Sequence, residues 1–221
     1  MINLLLFLLW SGYRYIYNDL DAEISATESS LIREGRLIVH RITTMEIPSI
    51  CQSLRHSYSK RDLAESIHYQ VTQFSPYDLL HLRGILEKEL KYLPTQYKKR
   101  LFPKLIEQVF GTHHMLLLMF RERQFINFND PLPNNFYEFC DMVEQVCRES
   151  TTPMHPRFTL LYYLLSAFSM FVLELPGHPV GTPFPGGFTV EKIGTVYLCP
   201  IRDKENDVES AICRFCPAKQ A

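Results

Sequence analysis

Residues 158–175 are eighteen positions in which Leu160, Leu161, Leu164, Leu165, Phe168, Met170, Phe171 and Leu173 leave almost no polar face. A helix that is apolar all round has two homes, the centre of a protein core or the interior of a membrane. Eighteen residues approach the length of a membrane span. Ser166, Ser169, Glu174 and the adjacent Tyr162 and Tyr163 favour the first home, because such groups can find partners inside a protein but not in lipid. The expectation is a central helix wrapped by others.

The wrapping helices are legible upstream. Lys60 to Phe74 carries Leu63, Ile67 and Val71 at four-residue steps, a narrow apolar stripe. Ser75-Pro76-Tyr77-Asp78 then supplies an N-cap serine, a proline at the first helical position and an acid at the third. That helix runs to about Tyr92 with Leu79, Leu82, Leu86 and Leu90 inward, and Pro94 closes it or opens the next. Lys98 to Asn127 reads as one long or two shorter helices with a break at Phe110-Gly111. Pro131 and Pro133 mark a loop over 129–135, and a helix capped by Asn134 or Asn135 follows as far as Cys147. Another loop, carrying Pro153 and Pro156, leads into the apolar helix.

After Pro176 the composition changes. Pro176, Pro179, Pro183 and Pro185 fix φ and remove donors, so 177–187 is neither helix nor central strand. Phe188 to Lys192 and Thr195 to Cys199 alternate across Ile193-Gly194 and predict a β-hairpin. A short last helix from Asp203 or Asn206 is expected to carry Cys213 near its end. The fold class is therefore mainly α: a helical, bundle-like body over 45–175 and a 176–221 appendage of Gly/Pro loop, β-hairpin and Cys-rich segment, packed as one domain.

The chemistry concentrates in that appendage. Cys213-Arg-Phe-Cys216 is a C-x-x-C pair, and Cys199 precedes it with thirteen residues between. Thiolates are soft, charged donors that suit Zn²⁺ or an iron–sulfur cluster, and four complete a tetrahedral centre. Cys199, Cys213 and Cys216 are three candidate ligands. His178, on the proline-stiffened loop, is the nearest fourth, with Cys140 and Cys147 as the others because they share one helix face. Proline after both Cys199 and Cys216 leans toward an iron–sulfur cluster. A redox dithiol and inert packing are the alternatives.

Elsewhere the signals are thinner. His155-Pro156-Arg157 precedes the apolar helix, where the His could act as base and the Arg anchor an anion; His113 and His114 point to different helix faces. Lys98-Lys99-Arg100 with Lys88, Lys91 and Lys104 reads as a solvated helix face with no specific nucleic-acid signal. Net charge of -1 gives no global steering toward a polyanion. The apolar start Met1 to Trp10 lacks a basic n-region and a clear cleavage site and is too short to span a bilayer, so no membrane anchor is expected. Met45 opens a more ordinary domain start, so 1–44 is expected to be an N-terminal extension or the product of a misassigned start rather than a targeting element. C-x-x-C spacing without an export signal points to a reducing cytoplasm.

His155-Pro-Arg-Phe158, the string Pro176-Gly-His-Pro-Val-Gly-Thr-Pro-Phe-Pro-Gly-Gly187, Tyr197-Leu-Cys-Pro200 and Cys213-Arg-Phe-Cys-Pro-Ala218 together resemble an uncharacterised archaeal family found chiefly in methanogens, a domain of unknown function. The resemblance covers about Met45 to the end. It implies an anaerobic archaeal cytoplasm rich in iron–sulfur proteins, and it carries no activity or catalytic residue to transfer. Three readings stay open. One is a metal-binding module with a structural or redox role. Another is an enzyme whose His155, Arg157 and His178 converge on a small anionic substrate. The last is an assembly protein presenting an exposed patch around Val180, Phe184 and Phe188.

Overall fold

A computed structural model describes residues 42–149 and 154–221; the expectations for Met1–Trp10 and for most of 1–44 lie outside them. Seven helices are described: α1 (Ile47–Arg55), α2 (Lys60–Val71), α3 (Pro76–Glu89), α4 (Thr95–Ile106), α5 (Thr112–Arg121), α6 (Asn135–Glu149) and α7 (Pro156–Ala167). Three short strands follow, β1 (Glu191–Ile193), β2 (Val196–Cys199) and β3 (Lys219–Gln220), in the order β1-β2-β3. The fold is mainly α with a small C-terminal sheet.

The apolar helix is central. Fifteen of the seventeen residues from Pro156 to Val172 are buried, the last five of them, Phe168–Val172, wound as a π-turn that extends α7. α2, α6 and the α4–α5 junction pack around it. Each fully buried Leu or Phe here contributes roughly 1.5–3 kcal/mol. Among the described residues no helix is long and apolar enough to cross a membrane.

Local chemistry sets the helix starts. Ser59 and Ser75 each accept the N–H of an Asp three residues on, while Asp62 and Asp78 reach back to the cap N–H, closing two reciprocal caps. Only the second is expected from sequence. α4 and α5 are one continuous helical path through a π-turn at Glu107–Gly111, which is the single-helix alternative that the sequence leaves open, with the irregularity at Phe110-Gly111. α1 is not among the expected helices, although Ile47, Ile50, Cys51 and Leu54 have helical spacing and are buried against α6.

The appendage differs from expectation in two places. β1 and β2 do form the expected antiparallel hairpin, turning through Gly194 at φ +60°. However, β3 adds to the far edge of β2 in parallel, with Cys199 opposite Gln220. The expected last helix is instead a series of turns from Pro200 to Asp207, followed by a 3₁₀ turn, Ile212–Phe215, that holds Cys213. A run with Asp203, Asn206 and Asp207 but no apolar periodicity has little to gain from helix formation. The appendage shares the body's core through Phe215, which meets Phe139 of α6 edge-on at 5.3 Å.

At the other end of α7, Arg157 is buried and its Nη2 lies 2.6 Å from Asp78 Oδ2, tying the first turn of α7 to the first turn of α3. The guanidinium also covers the Phe74 ring at 4.9 Å. Burial pushes the Asp78 carboxyl up, but Arg157 and the Ser75 hydroxyl and N–H outweigh it and leave it below the ordinary value. Stability from this contact is therefore present above the unfolded carboxylate pKa of about 3.9 and is lost as pH falls through the lower folded value. Arg157→Ala should destabilise by about 3–5 kcal/mol in urea denaturation at neutral pH. Its acid limb, compared with the native chain, should be flatter.

Candidate functional site

The site forms where α7 ends and the last residues of the chain return. Parallel pairing of β3 with β2 sets Gln220 opposite Cys199 and returns the preceding segment to this end of the fold, with Cys216 in electrostatic reach of Cys199. The 3₁₀ turn sets Cys213 three residues earlier, its carbonyl accepting the Cys216 N–H at 3.1 Å. All three cysteines are free thiols and buried. Their sulfurs lie in one another's electrostatic field, with the Arg202 guanidinium close by and the buried Glu205 acting on Cys213.

Backbone amides lie beside two of these sulfurs, and one donates directly. The Gly177 N–H donates to Cys216 Sγ at 3.3 Å. The Ala218 amide also favours the Cys216 thiolate and the Ile201 and Arg202 amides that of Cys199, while the Arg202 N–H itself donates to the Cys199 carbonyl at 3.5 Å. Even so, burial first, and then the neighbouring sulfurs, push Cys213 up to about 12 and Cys199 to about 11. As bare thiols they are poor nucleophiles.

Gly177 is held from both sides. Its carbonyl accepts from Gln108 Nε2 at 2.8 Å, and a Cβ at this position would stand 2.5 Å from Ile212 Cδ1 and 3.2 Å from Met170 Sδ. Gln108 belongs to the first π-turn and Met170 to the second. π-turns of this kind recur at functional sites. Tyr162 joins the same packed cluster: its phenol is pushed up by burial and by Cys213 and Cys216, and it lies 3.5 Å from the Gln108 amide. Gln108, Tyr162 and Glu205 are absent from any motif: Tyr162 is a polar group in an apolar run, whereas Glu205 lies in the polar stretch Arg202 to Asp207, which marks none of its residues.

His178 follows Gly177 directly. It is buried, meets Phe184 edge-on at 5.8 Å, and burial alone pushes it down to about 4, so its imidazole is neutral at physiological pH. Among the described residues, however, no group of three or more His, Cys, Asp or Glu side chains is gathered tightly enough to hold a metal ion as placed.

The other candidates fall elsewhere. His155 caps α7, its Nδ1 accepting the Arg157 N–H at 3.2 Å, and Arg157 is occupied by Asp78. The seventeen residues from Pro156 to Val172 span roughly 25 Å at 1.5 Å per residue. His155 and Arg157 thus sit at one end of α7 and His178 beyond the other. Cys140 and Cys147 lie on α6 with Cys51 of α1 between them in electrostatic reach, a second thiol group of the α1–α6 interface remote from Cys213 in sequence. Burial pushes Cys140 and Cys147 up to about 12, as expected for packed, inert thiols.

The family model "Uncharacterized protein conserved in archaea (DUF2115)" matches residues 59–221. The chain belongs to this family. A UPF0305 protein of Methanocaldococcus jannaschii is 29% identical over 161 residues, covering 72% of this chain and 94% of its own. One from Methanothermobacter thermautotrophicus is 27% identical over 172 residues, covering 73% and 96%. No solved structure matches. The DUF2115 match takes in α2 through β3, and so both the central helix and the whole thiol site.

Gly177 offers a direct check on this geometry. Gly177→Ala should cost about 1–3 kcal/mol in thermal or urea unfolding, because Ile212 is itself buried and has no free space to yield. Gly187→Ala, where nothing lies within 4 Å but φ is +85°, should show only the smaller cost of left-handed backbone, about 1–2 kcal/mol.

Proposed function

We propose that this chain is a thiolate metal-binding protein in which Cys199, Cys213 and Cys216 take one Zn²⁺ or an iron–sulfur cluster, with His178 as the fourth ligand, in a structural or redox role. The observation that supports the reading is the Gly177 N–H donated to Cys216 Sγ at 3.3 Å, with further backbone amides beside Cys216 and Cys199 that favour their thiolates. A neutral thiol is a weak acceptor and gains little from such donors. A metal-bound thiolate is a strong one, and donors of this kind orient it and tune it.

Three buried sulfurs also repel one another as they ionise, and a divalent cation removes that conflict by coordinating all three. Coordination would draw the sulfurs to within about 4 Å of one another, each about 2.3 Å from the ion. A simple dithiol redox role has less support, because reactive thiols are those whose pKa is lowered and these are raised. The enzyme reading built on His155, Arg157 and His178 has less still, since α7 separates them.

Metal analysis and visible spectroscopy on anaerobically purified full-length chain test the proposal. About one equivalent of zinc, or iron with sulfide and visible colour, is expected, and Cys213→Ser or Cys216→Ser should remove most of it. Cys140→Ser should leave it in place. A colourless protein with neither metal above trace, or equal loss in Cys140→Ser, contradicts the proposal.

A further inference from the structure

Six of the chain's Lys and Arg residues (Lys88, Lys91, Lys98, Lys99, Arg100 and Lys104) fall within seventeen positions of a protein whose net charge is -1. The one acid among them, Glu89, is buried, and burial holds its carboxyl above the ordinary value. Lys98, Lys99 and Arg100 form no ion pair among the described residues, and Lys99 and Arg100 are exposed. Lys98, Lys99 and Arg100 fan over successive sides of α4, with Arg100 and Lys104 one turn apart on the same side. They ride on a helical hairpin with a small core of its own: Leu90, Leu101 and Leu105, flanked by Leu93, Tyr97 and Phe102, pack apart from the main core.

Folding then adds a feature that the linear sequence keeps far away. Tyr97 OH donates to the Pro183 carbonyl at 3.0 Å, and Lys104 Cε lies 3.2 Å from where a Cβ on Gly181 would be. α4 is thereby clamped to the 181–190 loop, a tight hairpin closed by Gly181 N–H to Val190 O at 2.7 Å and Phe184 N–H to Phe188 O at 2.8 Å. At its tip the Phe188 ring rests on Gly186, where a Cβ would meet Phe188 Cε2 at 2.8 Å, yet the residue stays 61% exposed. An aromatic ring braced on one side and open to solvent is a stacking platform rather than core.

We propose that α4 and the 181–190 loop form a docking surface for single-stranded nucleic acid, with phosphates along Lys99, Arg100 and Lys104, the last exchanging its Glu107 partner at 2.7 Å for a phosphate, and a base stacked on Phe188. Clustered cations track a phosphate backbone, and an exposed aromatic takes any base face without sequence preference. The chemistry fits a strand better than an anionic membrane. Insertion into lipid calls for an aliphatic face beside the cations, and α4 instead shows Lys99, Arg100 and the short Pro103 outward. The proposal does not depend on the metal site.

Fluorescence anisotropy of the full chain with a labelled oligouridylate of about 12 nucleotides, within the usual range of strand-binding sites, tests it. Saturable binding is expected, weakening with salt at a slope of about −2, as three phosphate contacts at about −0.7 each require. Lys98→Glu/Lys99→Glu/Arg100→Glu should lose binding at least about tenfold, and Phe188→Ala about five- to a hundredfold with the salt slope unchanged. Circular dichroism confirms the fold of each variant, and Lys99→Ala alone is the milder substitute if the triple variant unfolds. Absence of saturable binding at low salt, unchanged affinity in Phe188→Ala, or binding to phosphatidylserine vesicles but not to the oligonucleotide would each overturn the proposal.

Discussion

Burial of α7 is the constraint on which the rest depends. A helix with no polar face must be covered on every side, and α2, α6 and the α4–α5 junction do so. Its few polar atoms are met inside: Ser166 Oγ bonds the Tyr162 carbonyl at 2.9 Å and Tyr163 OH bonds the Ser210 carbonyl at 2.8 Å. The second of these belongs to the C-terminal segment. Phe139, on α6, extends the same logic by meeting Tyr163, Phe171 and Phe215 edge-on. The last forty residues are thus an extension of the helical core, held by the same rings.

That placement explains why the thiol site lies where it does. α7 ends in a π-turn, Glu174 takes a left-handed φ of +55°, and the chain enters the Gly/Pro loop at Gly177. Lys60 secures the corner by pairing with Glu174 at 2.8 Å and Asp130 at 3.2 Å. The loop's first peptides are fixed by Gln108 on one side and Cys216 on the other, so the sulfur environment is set by the body as much as by the cysteines. Such outer contacts govern ligand orientation wherever thiolates hold a metal.

Legibility in the sequence followed the range of the interaction. α3 could be read from Ser75-Pro76 and Asp78 because a helix cap is local chemistry. The central helix could be read because its composition leaves one alternative to burial, and the β-hairpin because Gly194 punctuates an alternating run. β3 could not be read: two residues pairing in parallel with β2 carry no period. The expected helix around Cys213 failed for a related reason, since turns from 200 to 207 satisfy their backbone locally and the 3₁₀ turn is fixed by Phe215 docking on Phe139. Cys199, Cys213 and Cys216 were found by spacing, whereas Gln108 and Tyr162 arrive from distant helices and have no motif. His155 and His178 looked like neighbours in composition, but a seventeen-residue rod stands between them. The same distance effect hid Phe188 from the basic run on α4.

X-ray absorption at the zinc and iron edges of the anaerobically purified protein tests the central claim most directly. A thiolate site built from Cys199, Cys213 and Cys216 predicts a shell of about three sulfurs at about 2.3 Å from the metal. A shell of nitrogen and oxygen alone near 2.0–2.1 Å, or no edge above background, would contradict it.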